Sequence, residues 1–529
     1  MKRLLKFNSK LVPGCHNLLR IVFTLIIITS EFSVSAKVKL PSVFSDKMVL
    51  QQKSIATIWG WADAGEKILI TTSWGKKAEI VANTNGNWTV KISTPSGSYS
   101  PQQITIKGEN EIILKNILIG EVWLCSGQSN MGWSVSQSNN ADEEIANAKY
   151  PNIRFFHVPN TMAWEPQTDV NAEWQVCSPE TVAKKSAAAY FFGRNLFQEL
   201  NVPIGLIVSA WGGSDVQAWI DRRNASKLGF QNIVDWYDQH ESSFKKLRAE
   251  WMEGINKWKT QQKEGEKPDW STRPKRMLPG DNHIPFALYN GMIHPIKPYI
   301  IKGAIWYQGE TNVPRANQYR TLFPAFIQSW RNVWQQGNFP FYYVQIAPFH
   351  YRDSLGVTSA ELRDAQLKTL DLVKNTGMVV TTDIGNALDI HPRKKQDVGY
   401  RLALLALHDY GKLDHGFSSP LYESKKVSGN SLIIDFKYAK ELKTKRGNEI
   451  IGLTIAGKDQ KFVKAKAEII NGNRLKVWSD DVKKPVAVRY GWSNAPFVNL
   501  VNEVNLPVSP FKTDSWEDTT EGNIHLDFP

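Results

Sequence analysis

Cysteine is scarce. The 529-residue chain has three, Cys15, Cys125 and Cys177. Cys15 lies in an N-terminal stretch that reads as a removable signal. A disulfide framework is therefore excluded, and one Cys125–Cys177 bridge or two buried thiols remain, the thiols being the simpler expectation. Metal-ligand patterns are missing as well: there is no His-Glu-x-x-His and no cysteine-pair motif, and the histidines other than His391 are scattered. No Gly-x-Gly-x-x-Gly follows a strand and no phosphate loop is present, so no metal and no nucleotide or other cofactor is expected. Internal repeats and low-complexity tracts are absent. With 42% apolar and 22% charged residues the chain has the composition of a folded protein, which excludes extensive disorder. Long apolar runs are absent except at one place, which excludes a polytopic membrane protein.

That place is the N-terminus. Lys2, Arg3, Lys6, Lys10 and Arg20 precede or flank the apolar run from Ile21 to Thr29, and Val34-Ser35-Ala36 follows. This is the layout of a secretory signal, residues 1–36, cleaved after Ala36. The run is far shorter than the ~20 residues a membrane span needs. An exported protein, periplasmic or extracellular, with no membrane span after cleavage is expected. Cleavage removes five basic residues and one acid, Glu31, so the net charge falls from +13 to +9. The remaining basic residues are dispersed, with short clusters such as Lys394-Lys395 and Lys443 to Arg446, and no nucleic-acid motif accompanies them. They read as a solvated surface that at most steers acidic glycans.

The length exceeds one hydrophobic core, since single cores stop growing near ~250–300 residues. Residues 37–115 read as a β-sandwich-like domain, with short β-branched or alternating runs separated by turns such as Asn85-Gly86-Asn87. From residue 116 to 417 apolar runs alternate with helical patterns, the signature of a parallel sheet covered on both faces. Helices are expected over 181–200, 316–335 and 359–374, and a charged helical insertion over about 225–280. Strands return in a β-rich region over 418–529, where Asn471-Gly472-Asn473 reads as a hairpin turn.

In an open α/β sheet, ligands bind beyond the carboxyl ends of the strands, so the residues after each strand matter most. After Val122-Trp123-Leu124-Cys125 comes Ser126-Gly127-Gln128-Ser129-Asn130-Met131. The turn exposes Ser129 at a helix start, as a nucleophile requires, although an N-cap has the same signature. After Gly205 to Ser209 comes Ala210-Trp211-Gly212-Gly213-Ser214, whose paired glycines let backbone N–H groups approach a ligand. After Ile305-Trp306-Tyr307 comes Gln308-Gly309-Glu310-Thr311-Asn312, with an amide able to donate to an oxyanion. After Met378 to Thr382 comes Asp383 to Pro392, which places His391 at a loop–helix junction, Pro392 near the first helical turn and Asp389 two residues before the histidine. Each segment alone also fits an ordinary loop. Together they bring a nucleophile, a base, an orienting acid and oxyanion donors to one sheet edge.

These same segments resemble a known family. Gly127-Gln128-Ser129-Asn130-Met131 looks like the first block of the sialate O-acetylesterase branch of the SGNH hydrolases, and Leu40 to Gln51 like that branch's entry motif. Trp211-Gly212-Gly213-Ser214 is similar to the second block. Leu288-Tyr289-Asn290-Gly291-Met292-Ile293 with Trp306 to Asn312 resembles the third, and Asp389-Ile390-His391-Pro392 with Lys395 to Gly399 the last. The resemblance implies a flavodoxin-like three-layer α/β core with β-rich N-terminal and C-terminal regions, and hydrolysis of acetyl esters on an O-acetylated carbohydrate. By position it implies Ser129 as nucleophile, His391 as base, and an oxyanion hole of Ser129, Gly213 and Asn312. Gln128, Asn290, Gln308 and Glu310 are the candidates for substrate contact. Many SGNH enzymes carry Asp three residues before the histidine; here that position is Leu388. Asp389 is the nearest candidate for the third member, Asp383 a poorer one, and a Ser–His dyad the alternative. Two rival functions use the same residues: a glycan-binding protein without turnover, and a glycoside hydrolase built on Glu310 and an Asp, which needs carboxylates ~5–9.5 Å apart.

Overall fold

The longest strand, Glu111–Gly127, joins two regions of the molecule. It is mostly exposed through Asn116 and buried continuously from Ile117 onward. Its first half pairs antiparallel with Ser98–Lys107, and Leu118 to Gly120 pair parallel with Val49–Gln51. Its second half is the middle strand of a parallel sheet. The change in patterning near residues 115 and 116 is therefore a passage from one-faced to two-faced burial within one strand. The computed structural model describes residues 37–262, 269–276 and 280–524; the expected signal, residues 1–36, lies outside them.

The parallel sheet runs Thr376–Val379, Phe341–Val344, Gly303–Tyr307, Glu111–Gly127, Ile204–Ala210, Ile153–His157, with Trp174–Val176 antiparallel at the edge. From Ile204–Ala210 to Thr376–Val379 this is the 2-1-3-4-5 order of flavodoxin-like folds, extended by one parallel and one antiparallel strand. Side chains alternate between the faces, as the two-residue period of a strand requires. Trp123, Cys125, Ile305, Tyr307, Leu206 and Val208 enter the core shared with helices Ala187–Leu200 and Lys395–Asp409. Val122, Leu124, Ala304 and Trp306 enter the core shared with Ala316–Trp334. The sheet is thus covered on both faces, forming the three-layer α/β core. Cys125 and Cys177 are both free and buried.

The helix expected over 181–200 is divided. Pro179–Val182 forms one short turn and Ala187–Leu200 the main helix, because Ser186 caps the latter by accepting from Ala189 N at 3.1 Å while donating to Met131 O at 2.6 Å. The same serine ties this helix to the short helix that begins at Ser129. The insertion is dominated by the 31-residue helix Gln231–Gln261.

In the N-terminal region Ile55–Trp61 pairs with Asn87–Ser93, and Lys67–Thr72 lies between Lys77–Val81 and Ser98–Lys107, all antiparallel. The C-terminal region carries the antiparallel sheet Leu421–Ser428, Ser431–Lys437, Arg474–Trp478, Lys466–Ile470, with a second sheet of four short strands and one of two. Asn471 and Gly472 take positive φ at the turn joining Lys466–Ile470 to Arg474–Trp478. Among the described residues no helix is long and apolar enough to cross a membrane.

Candidate active site

In the 2-1-3-4-5 order the chain turns back beyond strands 1 and 3, and the crevice at that point is where such sheets bind ligands. Here those strands are Glu111–Gly127 and Gly303–Tyr307. Ser129 starts a four-residue helix just past the first. Gly127, at φ 141°, permits this: a Cβ there would stand 2.2 Å from Tyr307 O, the oxygen that accepts from Gln128 N at 2.9 Å. No larger residue fits between the two strand ends, so the turn brings Ser129 up at the sheet edge.

His391 comes from the loop after Thr376–Val379. Its Nε2 lies 2.9 Å from Ser129 Oγ. The Trp133 ring stacks on the imidazole at 4.6 Å and 18°, and is itself held by its Nε1 donating to Gln137 O at 3.0 Å. Helix Lys395–Asp409 begins later than expected, so Pro392 precedes it rather than occupying its first turn. Burial first, and the Lys395 ammonium second, hold the His391 imidazole below its usual pKa, with Asp389 opposing.

Asp389 does not hydrogen-bond the ring. Its Oδ1 lies 3.8 Å from His391 Nδ1 and accepts instead from His391 backbone N at 2.9 Å. Leu388, three residues before the histidine, is 85% exposed. Asp383 is committed elsewhere: Arg401 donates to both its oxygens at 2.8 Å, and Lys445 adds a contact at 3.4 Å. These cations hold its carboxyl below the usual range in spite of burial. Asp383 is thus an ion-pair residue and not an alternative partner of the imidazole.

The glycine loop lies against the nucleophile. A Cβ on Gly212 would meet Ser129 Cβ at 3.3 Å. Asn282 braces the loop by donating from Nδ2 to Gly212 O at 2.9 Å. A second histidine–carboxylate pair stands beside it, His283 Nδ1 to Asp215 Oδ2 at 3.0 Å, with Arg315 on Asp215 Oδ1 at 2.8 Å. Among the described residues, the backbone N–H groups of Ser129, Gly212 and Gly213 donate to no protein acceptor.

The candidates for substrate contact are mostly interior. Gln308 has no exposed surface: its Nε2 donates to Ser214 O and Asn312 Oδ1, and its Oε1 accepts from Tyr319. Asn290 sits in a π-helical turn and donates from Nδ2 to Ala163 O and Trp164 O. Glu310 is buried, with Asn130 on Oε1. In this structure the three side chains face the interior, where they hold the loops around the site. Gln128 is also buried, its Oε1 accepting from Gly309 N at 3.2 Å. Asn312 is 1% exposed. Its Oδ1 accepts from Val216 N and Gln308 Nε2, and one Nδ2 hydrogen goes to Gln217 Oε1, leaving a single N–H.

Sequence reasoning did not single out Trp133, Asn130 or Lys395. Asn130 donates from Nδ2 to Glu310 Oε1 at 2.6 Å and to Ile390 O at 3.0 Å, and Lys395 Nζ donates to Asn130 Oδ1 at 2.6 Å and to Pro392 O at 2.7 Å. Lys395 is fully buried, over the rings of Tyr307 and Trp133, and burial pushes its ammonium down to about 7. Burial raises the Glu310 carboxyl. Among the described residues no group of three or more His, Cys, Asp or Glu side chains is placed to hold a metal ion.

A serine, a histidine and unengaged backbone N–H groups thus meet at the switch point of a flavodoxin-like sheet, and comparison with known proteins gives the class of the molecule. Residues 119–278 and 269–407 match the family described as carbohydrate esterase, sialic acid-specific acetylesterase. The sialate O-acetylesterase of Rattus norvegicus is 30% identical over 502 residues, 87% of this chain and 90% of that protein. That of Mus musculus is 28% identical over 521 residues, covering 90% and 93%. The crystal structure of a carbohydrate acetylesterase from Xanthomonas citri superposes with a TM-score of 0.77 at 35% identity, covering 90% of this chain and 100% of that one. The chain belongs to the sialic acid-specific acetylesterase family of carbohydrate esterases, and it is a carboxylic ester hydrolase.

Proposed function

We propose that the protein is an exported esterase that removes O-acetyl groups from sugar hydroxyls, on sialic acid or on acetylated plant polysaccharide, through an acetyl-Ser129 intermediate. The observation that carries this reading is the 2.9 Å contact between Ser129 Oγ and His391 Nε2, beside the glycine loop. Ser129 Oγ attacks the acetyl carbonyl as its proton passes to His391 Nε2. The carbonyl oxygen becomes an oxyanion and is met by the backbone N–H groups of Ser129 and Gly213, with the remaining N–H of Asn312 as third donor. The sugar oxygen leaves with the proton from His391. Water then attacks the acetyl ester, His391 takes its proton, and Ser129 regains a proton as acetate departs. Asp389, at 3.8 Å, acts on the imidazolium through its charge rather than through a hydrogen bond.

Export rests on the basic, apolar and small-residue layout of residues 1–36. Assay of acetate release from O-acetylated sialic acids and from acetylated hemicelluloses tests the activity and its substrate class. Release from one class at a rate well above that of an acetylated alcohol lacking the sugar is expected. Binding of such glycans without release of acetate would instead make the protein a glycan-binding member of its fold.

A further inference from the structure

His391 has no hydrogen bond to Nδ1 among the described residues, so its ring is not held in the way a triad holds it. What holds the segment around it is buried chemistry. Ile390 O accepts from Asn130 Nδ2 and Pro392 O accepts from Lys395 Nζ. The carbonyls on either side of His391 are thus pinned by two side chains that are themselves joined, Lys395 Nζ to Asn130 Oδ1 at 2.6 Å. Asn130 is fixed in turn by Glu310 Oε1 at 2.6 Å, and it is the residue next to Ser129. Lys395, Asn130 and Glu310 come from three separate segments and are all buried. Glu310 Oε2 is buried with no hydrogen-bond partner. A buried ammonium and a buried carboxylate are costly unless they serve each other, and here one amide bridges them.

We propose that Lys395, Asn130 and Glu310 form a positioning relay that sets the His391 imidazole against Ser129, in place of a carboxylate hydrogen-bonded to Nδ1. The inference rests on the assignment of Ser129 and His391 as nucleophile and base. In this arrangement the three relay residues act through Ser129 and His391 and not on the acetyl group itself. Asn130 couples the two halves of the site, since one side chain is adjacent to the nucleophile and grips the loop of the base. The relay also sets a charge beside the imidazole. The groups that face Lys395 and His391 are Glu310, Asp389 and each other, with Tyr307 under the ammonium and Tyr351 within electrostatic reach of Glu310. The Lys395 cation beside the ring opposes protonation of His391 and keeps the base available at lower pH.

The test compares two substrates, p-nitrophenyl acetate, which has no sugar, and an O-acetylated glycan. Asn130→Ala and Glu310→Ala are expected to lower kcat by ~10- to 100-fold on both, with KM little changed, the cost of a misplaced catalytic group. A loss confined to KM on the glycan would overturn the relay and make these residues sugar contacts. Unchanged kcat on both substrates would also overturn it. Ser129→Ala, measured alongside, separates this from the underlying assignment: if that variant keeps its activity, the assignment itself has failed. The second arm does not depend on turnover. In the Ser129→Ala protein, NMR titration of the His391 ring should give a higher pKa after Lys395→Met and an unshifted one after Lys395→Arg, which keeps the charge. A ring pKa that does not rise on loss of the Lys395 charge contradicts the relay. Near-UV circular dichroism identifies any variant that has failed to fold, and the arm with folded variants then decides.

Discussion

Ser129 Oγ and His391 Nε2 stand 2.9 Å apart although 262 positions separate them in the chain. Two strand ends create this proximity. Glu111–Gly127 is the middle strand of the parallel sheet and Thr376–Val379 its edge, so the loop after the edge strand must cross the sheet's carboxyl end to reach Ser129. The contact gives His391→Ala a clear expectation. Ser–His pairs act as a unit, so the variant should lose several orders of magnitude in kcat, nearly as much as removal of the nucleophile. A kinetic series with p-nitrophenyl acetate checks this.

The pH profile follows from the same pair. The neutral imidazole is the active form, and burial with the nearby Lys395 cation holds its pKa below the usual value. The acid limb of kcat/KM should therefore have its midpoint below the ~6.5 of an unperturbed histidine. A midpoint above that value would mean that Asp389 outweighs both effects.

Asp389→Asn separates a triad from a dyad. Where a carboxylate hydrogen-bonds the imidazole, its conversion to the amide costs ~10⁴ in kcat. Asp389 Oδ1 is 3.8 Å from Nδ1, and its side chain is 38% exposed. The expected loss is below about tenfold, since a solvated charge at that distance is screened. A loss near the triad value would show that Asp389 turns onto Nδ1 during catalysis.

Much of this site was legible in the sequence, and the reason is positional. Ser129, the glycine pair, Asn312 and His391 each follow an apolar run that ends a core strand, and a parallel sheet gathers those ends at one edge. Asn130 and Lys395 were not legible as a pair, because their partners lie 180 to 265 positions away. A lysine at a helix start reads as solvated, and only the fold buries it. Glu310, Gln308 and Asn290 sit in polar loop sequences that resemble a binding surface, yet tertiary packing turns each inward. The strand crossing residues 115 and 116 was missed for a related reason. Alternation gives way to a continuous apolar run there because helices cover both faces, and periodicity alone cannot tell this from a domain boundary.

Asp383 gives a stability prediction. Its folded pKa is depressed, with Arg401 donating to both oxygens. A depressed carboxylate contributes stability that is complete above its unfolded pKa of ~3.9 and is lost as pH falls through the lower folded value. Asp383→Asn leaves Arg401 buried without its counter-ion and should cost roughly 3–5 kcal/mol at neutral pH. Denaturant unfolding at pH 7 and at low pH measures this, and the two proteins should converge at low pH.

Asn312 joins structure to catalysis. Asn312→Asp removes the N–H given to Gln217 Oε1 and sets a carboxylate against that oxygen. It should lower kcat by more than Asn312→Ala does, because an ionised Asp repels the oxyanion, whereas loss of one donor alone costs ~10²–10³. Both variants should lower the Tm. Equal, small effects on kcat with the Tm loss retained would confine Asn312 to holding the 214–217 segment.

Whether Ser129 carries the acetyl group is decided by the rate of Ser129→Ala on p-nitrophenyl acetate and on an O-acetylated glycan. Glycan binding and folding should persist while hydrolysis of both esters falls by several orders of magnitude. Retention of more than about a tenth of the activity by the folded variant would show that Ser129 is not the nucleophile, since loss of that group costs several orders of magnitude in rate.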